Sequence, residues 1–64
     1  MMRPVDAADL ELAQVQLSSL LHKCEAALNK GTLNPSRQTL MTNRIAALRT
    51  ALELVADAQS RHSP

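Results

Sequence analysis

The apolar residues of this chain recur at helical spacing along two separate stretches. From Met41 to Val55 the apolar positions step by four, three, four and three residues, which places them on one face of an α-helix. Earlier in the chain, a stripe from Leu10 to Ala27 follows a similar spacing. A strand would instead alternate every second residue. The pattern therefore predicts two helices and an all-α fold.

Residues that start and stop helices flank both stretches. Asp6 is a suitable N-terminal cap, and Gly31 can adopt the left-handed conformation that ends a helix. Asn34 followed by Pro35 is a strong second start signal, with Ser36 as a competing cap. We predict a single domain over residues 1–64, with helix 1 at about 6–30, a turn at 31–34 and helix 2 at about 35–61.

The short turn requires the two helices to lie antiparallel, as a helical hairpin. If the chain folds back at residues 32 and 33, residue i faces residue 65 minus i. The two stripes then meet in five layers, which form the predicted hairpin core. These layers pair Leu10 with Val55, Ala13 with Leu52, Leu17 with Leu48, Leu20 with Ile45, and Cys24 with Met41.

Helix 2 carries a second apolar row beside the first. The two rows together form more apolar surface than one partner helix can cover. This row consists of Leu40, Ala47, Ala51, Leu54 and Ala58. A chain of 64 residues usually needs disulfides, a metal or a second subunit for stability, and its single cysteine cannot form an internal disulfide. We therefore predict a homodimer in which two hairpins form a four-helix bundle through this row. The alternative is that the row docks on a different protein.

Arg44 lies between the two apolar rows of helix 2 and is the most unusual side chain in the pattern. In one interpretation its aliphatic stem covers apolar surface while the guanidinium reaches water or an acid such as Glu25. In the other it contacts an anion or a protein partner in a groove.

The composition argues against several classes of function. No Phe, Tyr or Trp is present to stack on a base, and a net charge of +1 gives little attraction to nucleic acid or anionic lipid. No run of 18 apolar residues exists to span a membrane, so we expect no membrane association. The lone thiol and the absence of an apolar leader in residues 1–4 are typical of a cytoplasmic protein.

Candidate chemistry is sparse. Cys24 points into the predicted core, whereas His22 and Glu25 diverge from it around the helix, so we predict no metal site and no activated thiol. The sequence has no phosphate-binding loop, zinc-protease motif or nucleophile elbow. A two-helix hairpin also lacks a cleft deep enough to exclude water. We therefore predict no catalytic residue, no cofactor and no enzymatic activity.

These observations favour a small interaction or structural protein that self-associates and presents a polar helical surface to a protein partner. In length and helix layout the chain resembles the small plasmid-copy-number RNA-binding proteins, which are dimers of helical hairpins. That resemblance implies RNA binding, for which Arg37, Arg44, Arg49 and Arg61 would have to converge. The aromatic residue which that family uses in recognition has no counterpart here. A third possibility is an antitoxin or immunity-type regulator that masks another protein.

Overall fold

The computed structural model describes residues 4–62, and all regular secondary structure within them is α-helical. Helix α1 spans Ala7–Asn29 and helix α2 spans Pro35–His62. The two helices pack against each other. The prediction of an all-α fold built from two packed helices is confirmed.

Capping residues set both ends of α1. The carboxylate of Asp6 accepts a hydrogen bond from the backbone N–H of Asp9 at 2.9 Å, and the Asp9 carboxylate accepts one from the backbone N–H of Asp6 at 3.2 Å. This reciprocal capping box satisfies two backbone donors that a helix start would otherwise leave open. At the other end, Gly31 has a φ of 68°, a conformation that glycine adopts at low cost.

Helix α2 begins at the signal formed by Asn34 and Pro35. The Asn34 side-chain oxygen accepts a hydrogen bond from the backbone N–H of Arg37 at 2.9 Å, and Pro35 occupies the first helical position. Asn34 is therefore the cap, and the competing Ser36 lies inside the helix.

Two side-chain hydrogen bonds between the helices show that they run antiparallel and define their register. Arg49 donates to Glu25 at 2.8 Å, and Gln59 donates to Gln14 at 3.0 Å. These pairs place residue i of α1 opposite residue 74 or 73 minus i of α2, so the predicted register of 65 minus i is wrong. The error is eight or nine residues, about 13 Å along the helix axis.

The residues that line the grooves beside the helix contact agree with the shifted register. Leu28 shares one groove with Ile45, and Cys24 shares another with Leu48, whereas the predicted partner of Cys24 was Met41. In this register the first turns of α2 extend past the end of α1, and residues 34–40 are exposed.

The contact between the helices buries little. Leu10, Cys24 and Ile45 are buried, with exposures of 6%, 7% and 6%. Most other predicted core residues are half-buried: Ala13, Leu17, Met41, Leu48, Leu52 and Val55.

Leu20 departs from the predicted core. It is 49% exposed, and the half-buried Leu21 follows it in the chain. A helical stripe can pass from Leu17 to Cys24 by steps of three and four through Leu20, or by steps of four and three through Leu21. In the structure the stripe passes through Leu21, which is half-buried, and not through Leu20.

The register can be checked with spin labels in a Cys24→Ser background, diluted with unlabelled protein so that only distances within one chain are measured. Labels at Glu25→Cys and Arg49→Cys should lie closer together than labels at Glu25→Cys and Leu40→Cys. The two α2 positions differ by about 13 Å along the axis, which pulsed electron paramagnetic resonance resolves. The opposite order of distances would restore the register of 65 minus i.

Candidate interaction surface

The second apolar row of α2 lies largely on the surface of the hairpin. Leu40 is 45% exposed and Leu54 is 66% exposed, and Ala47 between them is also exposed. Ala51 and Ala58 are half-buried at the border with the helix contact. Leu40, Ala47 and Leu54 are spaced by seven residues, so they follow one line along the helix.

Helix α1 contributes to the same side of the hairpin. A groove of about 310 Å³ is lined by Leu20 and Cys24 from α1 and by Ala47 and Leu48 from α2, with Arg44 beside them. The exposure of Leu20 therefore extends the apolar row of α2 onto α1. We call this combined surface the apolar flank: Leu20, Leu40, Ala47, Ala51, Leu54 and Ala58.

Arg44 lines the apolar groove and is exposed. It makes no hydrogen bond or ion pair with any residue between 4 and 62, and the suggested pairing with Glu25 is not formed. Glu25 instead accepts a hydrogen bond from Arg49 on the other side of the helix contact. The apolar flank thus carries a cation that has no acidic partner within the described chain.

The other side of the hairpin is polar. Its groove has a volume of about 290 Å³, and the Glu25–Arg49 ion pair lies there at 2.8 Å. The side chains of this pair are 38% and 62% exposed. The residues that line this groove are Glu25, Leu28, Asn29, Thr42, Ile45, Ala46 and Arg49. The two sides of the hairpin therefore differ clearly in chemistry.

A third surface lies on the side of α1 that faces away from α2. Leu12 is 60% exposed and Val15 is 63% exposed. Polar side chains surround them, including Glu11, Ser18 and Lys23, and all are exposed. We call Glu11, Leu12, Val15, Ser18, Ser19 and Lys23 the outer face of α1.

The structure does not bring the candidate metal ligands together. Across residues 4–62, no three His, Cys, Asp or Glu side chains are grouped so that they could hold a metal ion. Cys24 is a free, buried thiol, whereas His22 is exposed. Neither helix, over the part of the chain described, is long and apolar enough to cross a membrane.

Comparison with protein-family models, with curated proteins and with solved structures finds no match for this chain. Its fold defines it as a two-helix all-α protein, and its surface combines an apolar flank, a polar groove and a mixed outer face.

The ion pair of Glu25 with Arg49 can be tested by a double-mutant cycle with Glu25→Gln and Arg49→Met. We expect a coupling of about 0.2–1 kcal/mol in the free energy of unfolding, because both side chains are partly exposed. The coupling should fall as salt is raised, since ions screen exposed charges. Urea denaturation at fixed protein concentration measures it.

Arg44→Met provides the matched control for this cycle, because it removes a neighbouring arginine that does not contact Glu25. Its coupling to Glu25→Gln should be close to zero. A larger coupling for Arg44 than for Arg49 would show that Glu25 pairs with Arg44 in solution.

Proposed function

We propose that this chain is a small, non-enzymatic interaction protein that dimerises through its apolar flank and presents the outer face of α1 to a protein partner. The observation that carries the proposal is the exposure of the flank in a single hairpin, where Leu20, Leu40 and Leu54 are 49%, 45% and 66% exposed. Leucines in one continuous patch mark an interaction site more strongly than scattered ones do.

The total exposed area supports self-association. The hairpin exposes 5148 Å², whereas a globular monomer of this mass exposes about 4,000 Å². Its radius of gyration of 14.5 Å likewise exceeds the value of about 11 Å for a compact domain of this length. If each copy removed its excess of about 1,100 Å², the dimer interface would bury about 2,200 Å² in total, near the lower end of the range of about 2,000–5,000 Å² for permanent homodimers.

A four-helix bundle provides the arrangement that covers the flank. Two hairpins stacked side by side enclose a core from four helices, and each fully buried leucine contributes about 1.5–3 kcal/mol. Ala47 and Ala51 in the middle of the row allow the helices to approach closely, because their side chains are small. The dimer would therefore add to the small core that a single hairpin buries.

The grooves contain no arrangement that favours catalysis. The ionisable side chains of the polar groove, Glu25 and Arg49, are paired with each other, and those of the apolar groove are Cys24 and Arg44. Within residues 4–62, no hydrogen bond joins Cys24 to a histidine that could activate it. This arrangement supports an interaction protein over an enzyme.

The arginines favour a protein partner over RNA. Of the four that RNA binding would require, Arg49 is paired with Glu25 and Arg61 is paired with Asp57. Paired arginines attract phosphate less strongly, because their charge is already partly compensated. The outer face of α1 instead resembles a protein-binding patch, with Leu12 and Val15 at its centre and polar side chains around them.

Dimerisation is tested by sedimentation equilibrium at micromolar concentration. The protein should sediment at twice its chain mass of 7.0 kDa. Leu54→Lys should raise the dimer dissociation constant at least tenfold, because it loses the burial of a leucine, worth about 1.5–3 kcal/mol, and adds a second cation to an interface that already carries Arg44. A folded wild-type monomer would contradict the proposal.

Val15→Glu is the matched control, since Val15 is 63% exposed and Leu54 is 66% exposed, but only Leu54 lies on the apolar flank. This variant should remain a dimer with unchanged affinity.

Val15→Glu should also abolish binding to the protein partner, because it places a charge at the centre of the outer face of α1. The measurement is recovery of a stoichiometric partner with tagged wild type, tagged Val15→Glu and tagged Leu54→Lys. Loss of the partner with Val15→Glu, while the dimer persists, supports the outer face. Loss of the partner with Leu54→Lys alone would instead show that the apolar flank docks on that partner.

A further inference from the structure

We infer that two copies pair antiparallel through α2, with the two-fold axis between Ala47 and Ala51. This inference rests on the proposed self-association and specifies its geometry. It follows from the order of large, small and charged side chains along the apolar flank, together with their exposure in the single hairpin.

Side-chain size favours this position of the axis. In the antiparallel pairing, Leu40 lies opposite Ala58 of the second copy, and Ala47 lies opposite Ala51 of the second copy. Each Leu40 then meets an alanine, and no leucine of the row faces another leucine, so the helices can approach closely at the central alanine layers. A parallel pairing would set each residue against itself. The bulky Leu40 and Leu54 layers would hold the helices apart and leave a gap at Ala47.

Arg44 gives an independent reason for the antiparallel direction. In a parallel dimer the two Arg44 side chains would face each other across the axis, and like charges in one layer repel. In the antiparallel dimer they are about 15 Å apart along the axis, beyond the screening length of about 8 Å at physiological salt.

The same pairing explains how Leu54 becomes covered. Leu54 is 66% exposed, the highest exposure among the large apolar side chains of the described chain, and it lies opposite Arg44 of the second copy. The aliphatic stem of an arginine can pack on a leucine while its guanidinium stays in water. In this pairing Arg44, which has no acidic partner in the described hairpin, packs over Leu54, the most exposed leucine of the described chain.

The ends of α2 are consistent with this direction. The first turns of α2 extend past α1, and residues 34–40 are exposed. In the antiparallel dimer these turns lie beside the C-terminal turns of α2 from the second copy. The opposed helix dipoles attract weakly, whereas parallel helices would align like ends.

Disulfide crosslinking tests the direction in a Cys24→Ser background. Leu40→Cys and Ala58→Cys chains are mixed, unfolded, refolded together and oxidised, and the products are separated without reductant. We expect the mixed pair to give several-fold more linked dimer than either chain gives alone, because a disulfide needs Cα atoms about 4.4–6.8 Å apart. Circular dichroism and sedimentation establish that each variant is a folded dimer before oxidation.

The other outcomes separate the inference from the proposed function. Efficient linking of Leu40→Cys to itself would show a parallel dimer, and efficient linking of Leu40→Cys to Leu54→Cys would move the axis to Ala47. A dimer in which none of these pairs links would place the interface on another face. Each of these results overturns the inference while self-association stands, whereas a reduced Cys24→Ser protein that sediments as a monomer removes the proposed dimer itself.

Discussion

A pair of helices has one line of contact, and among residues 4–62 that line buries only Leu10, Cys24 and Ile45 almost completely. The remaining apolar residues near the contact are half-buried or exposed. Because hydrophobic stabilisation scales with the area removed from water, a contact this narrow gives a small driving force against the entropy of ordering the chain. Burial of the apolar flank would therefore add hydrophobic stabilisation that the contact between the two helices does not provide.

The sequence predicts the helices well because their ends depend on local chemistry. Asn34 caps α2 through a bond to a residue three positions away, and Gly31 needs only its own backbone freedom. The register between the helices is a different problem. The apolar stripes repeat about every two helical turns, so sliding one helix by roughly that distance brings a similar stripe against the other. Cys24 was predicted beside Met41 and instead shares a groove with Leu48, seven residues further on.

The candidate surface was likewise predictable only where it depends on the spacing of residues within one helix. The row on α2 could be read from the spacing of Leu40, Ala47 and Leu54, which are all exposed. The contribution of Leu20 could not, because steps of three and four allow either it or Leu21 to face α2. The polar contacts between the helices could not be predicted from the sequence either. They depend on the register, and the shifted register brings Arg49, rather than Arg44, to Glu25.

The difference between the two sides of the hairpin would limit how the second copy in the proposed dimer approaches. Covering the polar groove would remove water from the Glu25–Arg49 pair, and desolvating an ion pair costs more than its attraction returns unless the geometry is excellent. Covering the apolar flank removes leucine and alanine from water and lets Arg44 keep its guanidinium at the edge. A dimer formed there leaves both outer faces of α1 exposed. Two-fold symmetry would then present Leu12 and Val15 twice, so a partner with two matching sites would gain avidity from dimerisation alone.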